Sequence, residues 1–219
     1  MRKLLILPLA CFLFACTSSD QQKKQAANAD SLTEAVTKTT NTEANMDAKD
    51  IDASTWIDDF KNFRQAVYTK DKAKVKTYFD FPVGGEDWGS LVTFSDKEVQ
   101  KREKALKHPE LFYEADFGQY FDRIFDEDFI SCIMKIKTAV LYKSNHAESP
   151  EIVTDGQIIK LIVDHDTTDF NAIQLNMSYA NNAVDENGEA VSEGEHNVIY
   201  IFEIIDHRKI KFKKKVFAG

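Results

Sequence analysis

Between Thr17 and Ala53 the chain carries no aromatic residue, no glycine and no proline, and consists mainly of Asn, Gln, Thr, Ala, Asp and Lys. Such a stretch cannot bury enough apolar surface to offset the entropy of ordering it. Whatever packs must therefore lie beyond it, where Trp56 opens a segment rich in Phe and Tyr. With 219 residues, 43% of them hydrophobic, and with 16 Phe and 7 Tyr, the chain has material for one packed core and length for one ordinary domain. The division is residues 1–15 as a leader, 16–53 as a tether and 54–219 as a single domain. As a random coil of roughly 5–6 Å × √n, the tether spans a few nanometres.

Arg2 and Lys3 precede an apolar run from Leu4 to Phe14. That run falls short of the roughly 20 residues a membrane-spanning helix needs, and it has the order of a signal peptide. At its end stand Leu13, Phe14, Ala15 and Cys16, which resemble the lipobox of bacterial lipoproteins. The resemblance implies that Cys16 takes lipid and becomes the first residue. Two or three acyl chains, each contributing about 0.8 kcal/mol per buried CH₂, hold a protein on a bilayer. Thr17 follows Cys16 with no Asp after the cysteine, which by resemblance to enterobacterial lipoproteins implies the outer membrane, facing the periplasm. The net charge of −8, or −10 once Arg2 and Lys3 are removed, argues against nucleic acid as a partner.

Of the three cysteines, Cys11 leaves with the leader and Cys16 takes lipid. Cys132 alone remains, so no internal disulfide is possible within the mature chain. Cys132 lies in an apolar run, Phe129 to Met134, without a local activating base, and reads as a small buried hydrophobe.

Apolar periodicity supplies the elements. Trp56, Phe60, Phe63 and Val67 recur at helical spacing, with Ser54 or Thr55 as N-cap. A second short helix spans Lys72 to Phe79 and ends before Phe81-Pro82. A brief strand follows at Leu91 to Phe94. Ser95 and Glu98 have the spacing of a capping box, so a helix starts there and ends near His108-Pro109. Tyr113, Phe117, Tyr120, Phe121, Ile124 and Phe125 form another helical stripe, the core-facing side of a helix lying on a sheet. After Asp126 the period changes to two. Ile130, Cys132, Met134 and Ile136 predict one strand, Ile159, Leu161 and Val163 a second, and Ile173 to Tyr179 a third. A closing hairpin runs from Val198 to Ile205 and from Lys209 to Phe217. The expected class is α+β, with N-terminal helices packed on a curved antiparallel sheet of four to six strands, cone-like in shape.

The Phe-rich first helix, the segment Tyr78-Phe79-Asp80-Phe81-Pro82 and the closing strands with Tyr200-Ile201-Phe202 and Lys211-Phe212 resemble the nuclear-transport-factor-2-like superfamily, also called ketosteroid-isomerase-like or cystatin-like cones. The resemblance covers roughly Trp56 to Gly219 and extends to small lipoprotein members. It implies a pocket between the concave sheet face and the helices; Trp88, Tyr113 and Tyr120 are candidate binding residues on the strength of this sequence alone. Fold does not carry function, and no catalytic motif of the superfamily aligns.

Asp164, His165 and Asp166 are the densest group of potential acid, base or metal ligands. On a strand the two carboxylates share one face and the imidazole takes the other, so convergence requires the strand to end at Val163. Lys209, Lys211, Lys213 and Lys215 alternate with Ile210, Phe212 and Val216. They predict either a cationic face for an anionic partner or a solvated edge guarded by lysines; Lys214 on the apolar side suggests a bulge. Asp185 to Gly188 fails the calcium-loop pattern, since Ala183 and Gly194 occupy ligand positions, and reads as a turn. No nucleophile-elbow, zincin, P-loop or dinucleotide motif is present, so neither a cofactor nor a metal is implied. The expectation is a lipid-anchored, non-catalytic module that binds an unknown small ligand or envelope protein. Its rivals are a pocket enzyme of isomerase or hydrolase type using His165 with Asp164 or Asp166, and a structural homodimer.

Overall fold

The computed structural model describes residues 51–84, 91–154, 156–168, 171–189 and 191–219. Cys16, the leader, almost all of the tether, and Trp88 lie outside the described residues. Within them, six helices precede and pack on an open six-stranded antiparallel sheet.

Helix α1 (Trp56–Tyr68) forms as its apolar spacing predicts and buries Trp56, Phe60, Phe63 and Val67. Thr55 is its N-cap, but the Ser54 and Thr55 hydroxyls donate to the Asp58 carboxylate at 3.2 and 2.8 Å rather than covering backbone. The Trp56 N–H instead donates to the carbonyl of His207, in the last hairpin turn, at 3.0 Å. Among the described residues, contacts reach at least to Ile51, three residues before the expected boundary. The Asn62 side-chain amide brackets Ile51, accepting from its N–H at 3.0 Å and donating to its carbonyl at 2.7 Å.

Helix α2 (Lys72–Lys76) is capped by Asp71. Helix α3 (Asp96–Ala105) starts at the capping box, where the Glu98 carboxylate accepts from the Ser95 N–H at 2.7 Å. Helix α4 (Glu114–Ile124) buries Phe117, Tyr120, Phe121 and Ile124 against the core. Leu91 and Val92 are buried, but the expected strand at Leu91 to Phe94 is irregular chain.

The predicted strand through Ile130, Cys132 and Met134 is instead helix α5 (Glu127–Ile133), followed by α6 (Thr138–Ser144). Asp126 accepts from the Phe129 N–H at 2.8 Å, which closes an N-cap that an alternation count does not see. The buried set, Phe129, Cys132 and Ile133, has helical spacing. Cys132 is fully buried as expected, and burial pushes its thiol pKa up, so it is not a reactive thiolate.

Strands β1 (His146–Glu148) and β2 (Ile152–Val153) pair with one side of β3 (Gln157–Asp166), and β4 (Ala172–Asn181), β5 (His196–Ile205) and β6 (Lys209–Ala218) follow in order. The β5–β6 turn places Asp206 and His207 at φ 50° and 56°, the two left-handed positions of a tight hairpin. In the core, Phe63 meets the rings of Tyr78, Phe125 and Phe202 at 4.8 to 5.9 Å between centroids. A buried carboxylate joins the layers: Asp59 of α1 accepts from the Ile210 N–H of β6 at 2.8 Å.

Candidate functional site

One irregularity of β6 determines the site. Ile201 pairs with Lys214 but Phe202 pairs with Phe212, so Lys213 is an extra residue and the strand bulges there. A bulge reverses the inside–outside alternation downstream. Lys215 therefore sits directly opposite Tyr200, on the core face of the sheet, and is buried. The expected row of four exposed lysines does not exist. Lys209 is exposed; Lys211 pairs with Asp80 at 2.9 Å and Lys213 with Glu203 at 3.2 Å. The cationic face is corrected to two neutralised lysines, one solvated lysine and one lysine turned inward.

Lys215 lines a pocket of about 600 Å³ at the end of the sheet where β4 finishes and β5 begins. Tyr179, Val198, Tyr200 and Phe217 form its sheet wall, and Asp126 and Asp128 contribute from the start of α5. The Lys215 Nζ lies 5.0 Å from the Tyr200 ring centre and 5.1 Å from that of Phe217, a cation–π arrangement. It donates to the Leu91 carbonyl over a long 3.4 Å. Desolvation lowers its pKa to about 8, against a smaller opposing pull from the Asp126 charge. Burial, followed by the Asp126 and Glu127 charges, raises the Asp128 carboxyl above its usual range. The Tyr179 and Tyr200 phenols are raised by burial and then by Asp126. His196 stacks on Tyr179 at 4.5 Å with rings 6° from parallel.

The predicted aromatic candidates sit elsewhere. The Tyr120 hydroxyl donates to Glu98 at 2.8 Å, and that of Tyr113 to the His108 carbonyl at 3.2 Å; neither lines this pocket. Asp164, His165 and Asp166 stay on a regular strand, so they do not converge. Asp164 takes the His146 imidazole at 2.7 Å, which raises the pKa of that histidine. Asp166 accepts from the Thr168 N–H at 2.8 Å. His165 packs on the Trp56 ring at 4.5 Å, with its Nδ1 3.1 Å from the Asn145 Oδ1. Its Nε2 is buried without a partner among the described residues. No group of three or more His, Cys, Asp or Glu among the described residues is placed to hold a metal.

A second cavity, about 490 Å³, lies beside the Asp80–Lys211 and Glu203–Lys213 pairs. Its charges are already matched. The pocket around Lys215 differs because its lysine has no ion-pair partner among the described residues. No family model, curated protein or solved structure matches the chain.

Proposed function

We propose that the chain is a lipid-anchored envelope lipoprotein whose nuclear-transport-factor-2-like domain binds a small ligand in the pocket around Lys215, without catalysis. The observation that carries the binding reading is the pocket itself. Its volume falls in the range of small-molecule sites, about 300–1,000 Å³, and it combines an apolar wall of Val198, Tyr200 and Phe217 with a few charged groups. The anchor rests on Leu13 to Cys16, and the outer membrane on the residues after Cys16. Together they make a domain held near a bilayer by a tether and presenting a pocket to small molecules.

Two experiments test the two halves. Fragment screening by NMR on the full-length chain carrying Cys16→Ala gives shifts concentrated at Val198, Tyr200, Lys215 and Phe217; hits scattered over the surface contradict the binding reading. Labelled palmitate enters the wild-type chain in cells and not Cys16→Ala; equal labelling, or a mature chain that keeps residues upstream of Cys16, contradicts the anchor.

A further inference from the structure

Five charged side chains reach the pocket around Lys215 from the helices and the last strand, and two of them are already matched. Arg123 binds Glu98 at 3.1 Å, and Asp122 binds Lys70 at 2.9 Å. Lys215, Asp126 and Asp128 are in no ion pair among the described residues. Lys215 has three N–H donors and, besides its approach to the Tyr200 and Phe217 rings, one long hydrogen bond, to the Leu91 carbonyl. Asp126 uses one oxygen on the Phe129 N–H, and its other oxygen retains acceptor capacity. Lys215, Asp126, Asp128, Tyr179 and Tyr200 line the same pocket, and the Asp126 charge acts on Lys215, Tyr179 and Tyr200. Lys215 is buried and Asp128 half-buried, while Asp126 is exposed, so the demand for a partner is greatest at the lysine.

A single anionic ligand satisfies the lysine but sets negative charge against two carboxylates. A single cation satisfies the carboxylates but opposes the lysine. A ligand carrying both charges satisfies both walls, and its apolar part is left to Val198, Tyr200 and Phe217.

Building on the binding reading above, we propose that the pocket takes a small zwitterion of dipeptide size, its carboxylate on Lys215, its ammonium on Asp126 and Asp128, and an apolar or aromatic side chain on the sheet wall. Asp128 and Lys215 thereby act as a pair that reads the separation of two opposite charges.

The test uses four forms of one peptide on the full-length Cys16→Ala chain, followed by calorimetry: L-alanyl-L-phenylalanine, its N-acetyl derivative, its C-terminal amide, and the doubly blocked compound. The free dipeptide binds at least about tenfold more tightly than either singly blocked form, a difference of about 1.4 kcal/mol. Lys215→Met makes the free dipeptide and the amide equal, and Asp128→Asn, which leaves Asp126 in place, narrows the gap between the free dipeptide and the acetylated form. An acetylated form or an amide that matches the free dipeptide on the wild-type chain overturns the proposal, and this comparison needs no variant to fold. If none of the four binds at about 10 mM while fragments still map to the pocket, the zwitterion is wrong and the pocket reading stands. If fragments also miss the pocket, both fall.

Discussion

Lys215 lies face to face with Tyr200 across two neighbouring strands, its ammonium 5.0 Å from the ring centre, on the side of the sheet that carries the hydrophobic core. A lysine reaches that side because Lys213 is an extra residue in β6. The arrangement keeps a positive charge in a poorly solvated place, where the surrounding chain matches it only weakly.

That burial has a measurable cost. The folded-state pKa of Lys215 is lowered to about 8 from 10.5, so between these values the unfolded chain binds more protons than the folded one. Stability from this residue therefore rises with pH across that window. Comparing chemical denaturation of the wild-type chain and Lys215→Met from pH 7 to 10.5 isolates the effect from other titrations. The variant is the more stable at pH 7, by up to about 3 kcal/mol, and the advantage shrinks as pH rises. A constant difference contradicts this account of the lysine.

Asp59 is the polar joint between α1 and β6. Asp59→Ala leaves the buried Ile210 N–H without its 2.8 Å acceptor and costs about 1–3 kcal/mol in urea denaturation. Asp59→Asn keeps an acceptor oxygen and costs less. Burial raises the Asp59 pKa above 3.8. The folded chain then holds that proton more tightly, and stability from this group falls as pH rises from the unfolded pKa through the folded one; in Asp59→Asn that slope is gone.

Arg102 fastens the loop after α3. It is buried, donates to the Pro109 carbonyl at 3.0 Å and to the Leu111 carbonyl at 2.5 Å, pairs with Asp116 at 2.9 Å, and lies 4.1 Å from the Phe94 ring centre. Arg102→Met lowers stability by roughly 3 kcal/mol, because it leaves the Pro109 and Leu111 carbonyls without their side-chain donor and Asp116 without its cation, with the Tyr113 N–H still on that carboxylate. Arg102→Lys recovers little, since a point charge cannot replace a planar fork. Thermal unfolding of the two variants checks both statements.

The pair of His146 and Asp164 is exposed and separate from the pocket. The Asp164 carboxylate, bonded to the imidazole at 2.7 Å, raises the His146 pKa above 6.5. Its small contribution to stability is full below 6.5 and is lost as pH rises through the folded pKa. In an NMR titration Asp164→Asn returns His146 toward 6.5; an unchanged midpoint contradicts the pair.

Much of the frame was legible because it repeats. Phe60 and Phe63 in α1, Phe117 and Phe121 in α4, and the alternation of β3 and β4 each state a period that packing then obeys. Helix α5 was not legible as a period, because Ile130, Cys132 and Met134 alternate as a strand would. The Asp126 cap and the helical spacing of Phe129, Cys132 and Ile133 outweigh that alternation. The site was hidden for a related reason. Four lysines at every second position read as one solvated face, and Lys214 gave the only hint of a bulge. Where the bulge falls decides whether Lys215 meets water or Tyr200. Nothing in the sequence marks out Asp126 and Asp128, and only the meeting of α5 with the ends of β4 to β6 makes them part of a pocket.

Lys215 is a buried ammonium, and the proposed ligand brings it a carboxylate. NMR titration of its side chain in the full-length Cys16→Ala chain, alone and with L-alanyl-L-phenylalanine, tests it directly. The expected midpoint is near 8 alone and moves upward when the dipeptide's carboxylate pairs with the charged form. A midpoint at the ordinary lysine value of 10.5 that the dipeptide leaves unmoved would contradict it.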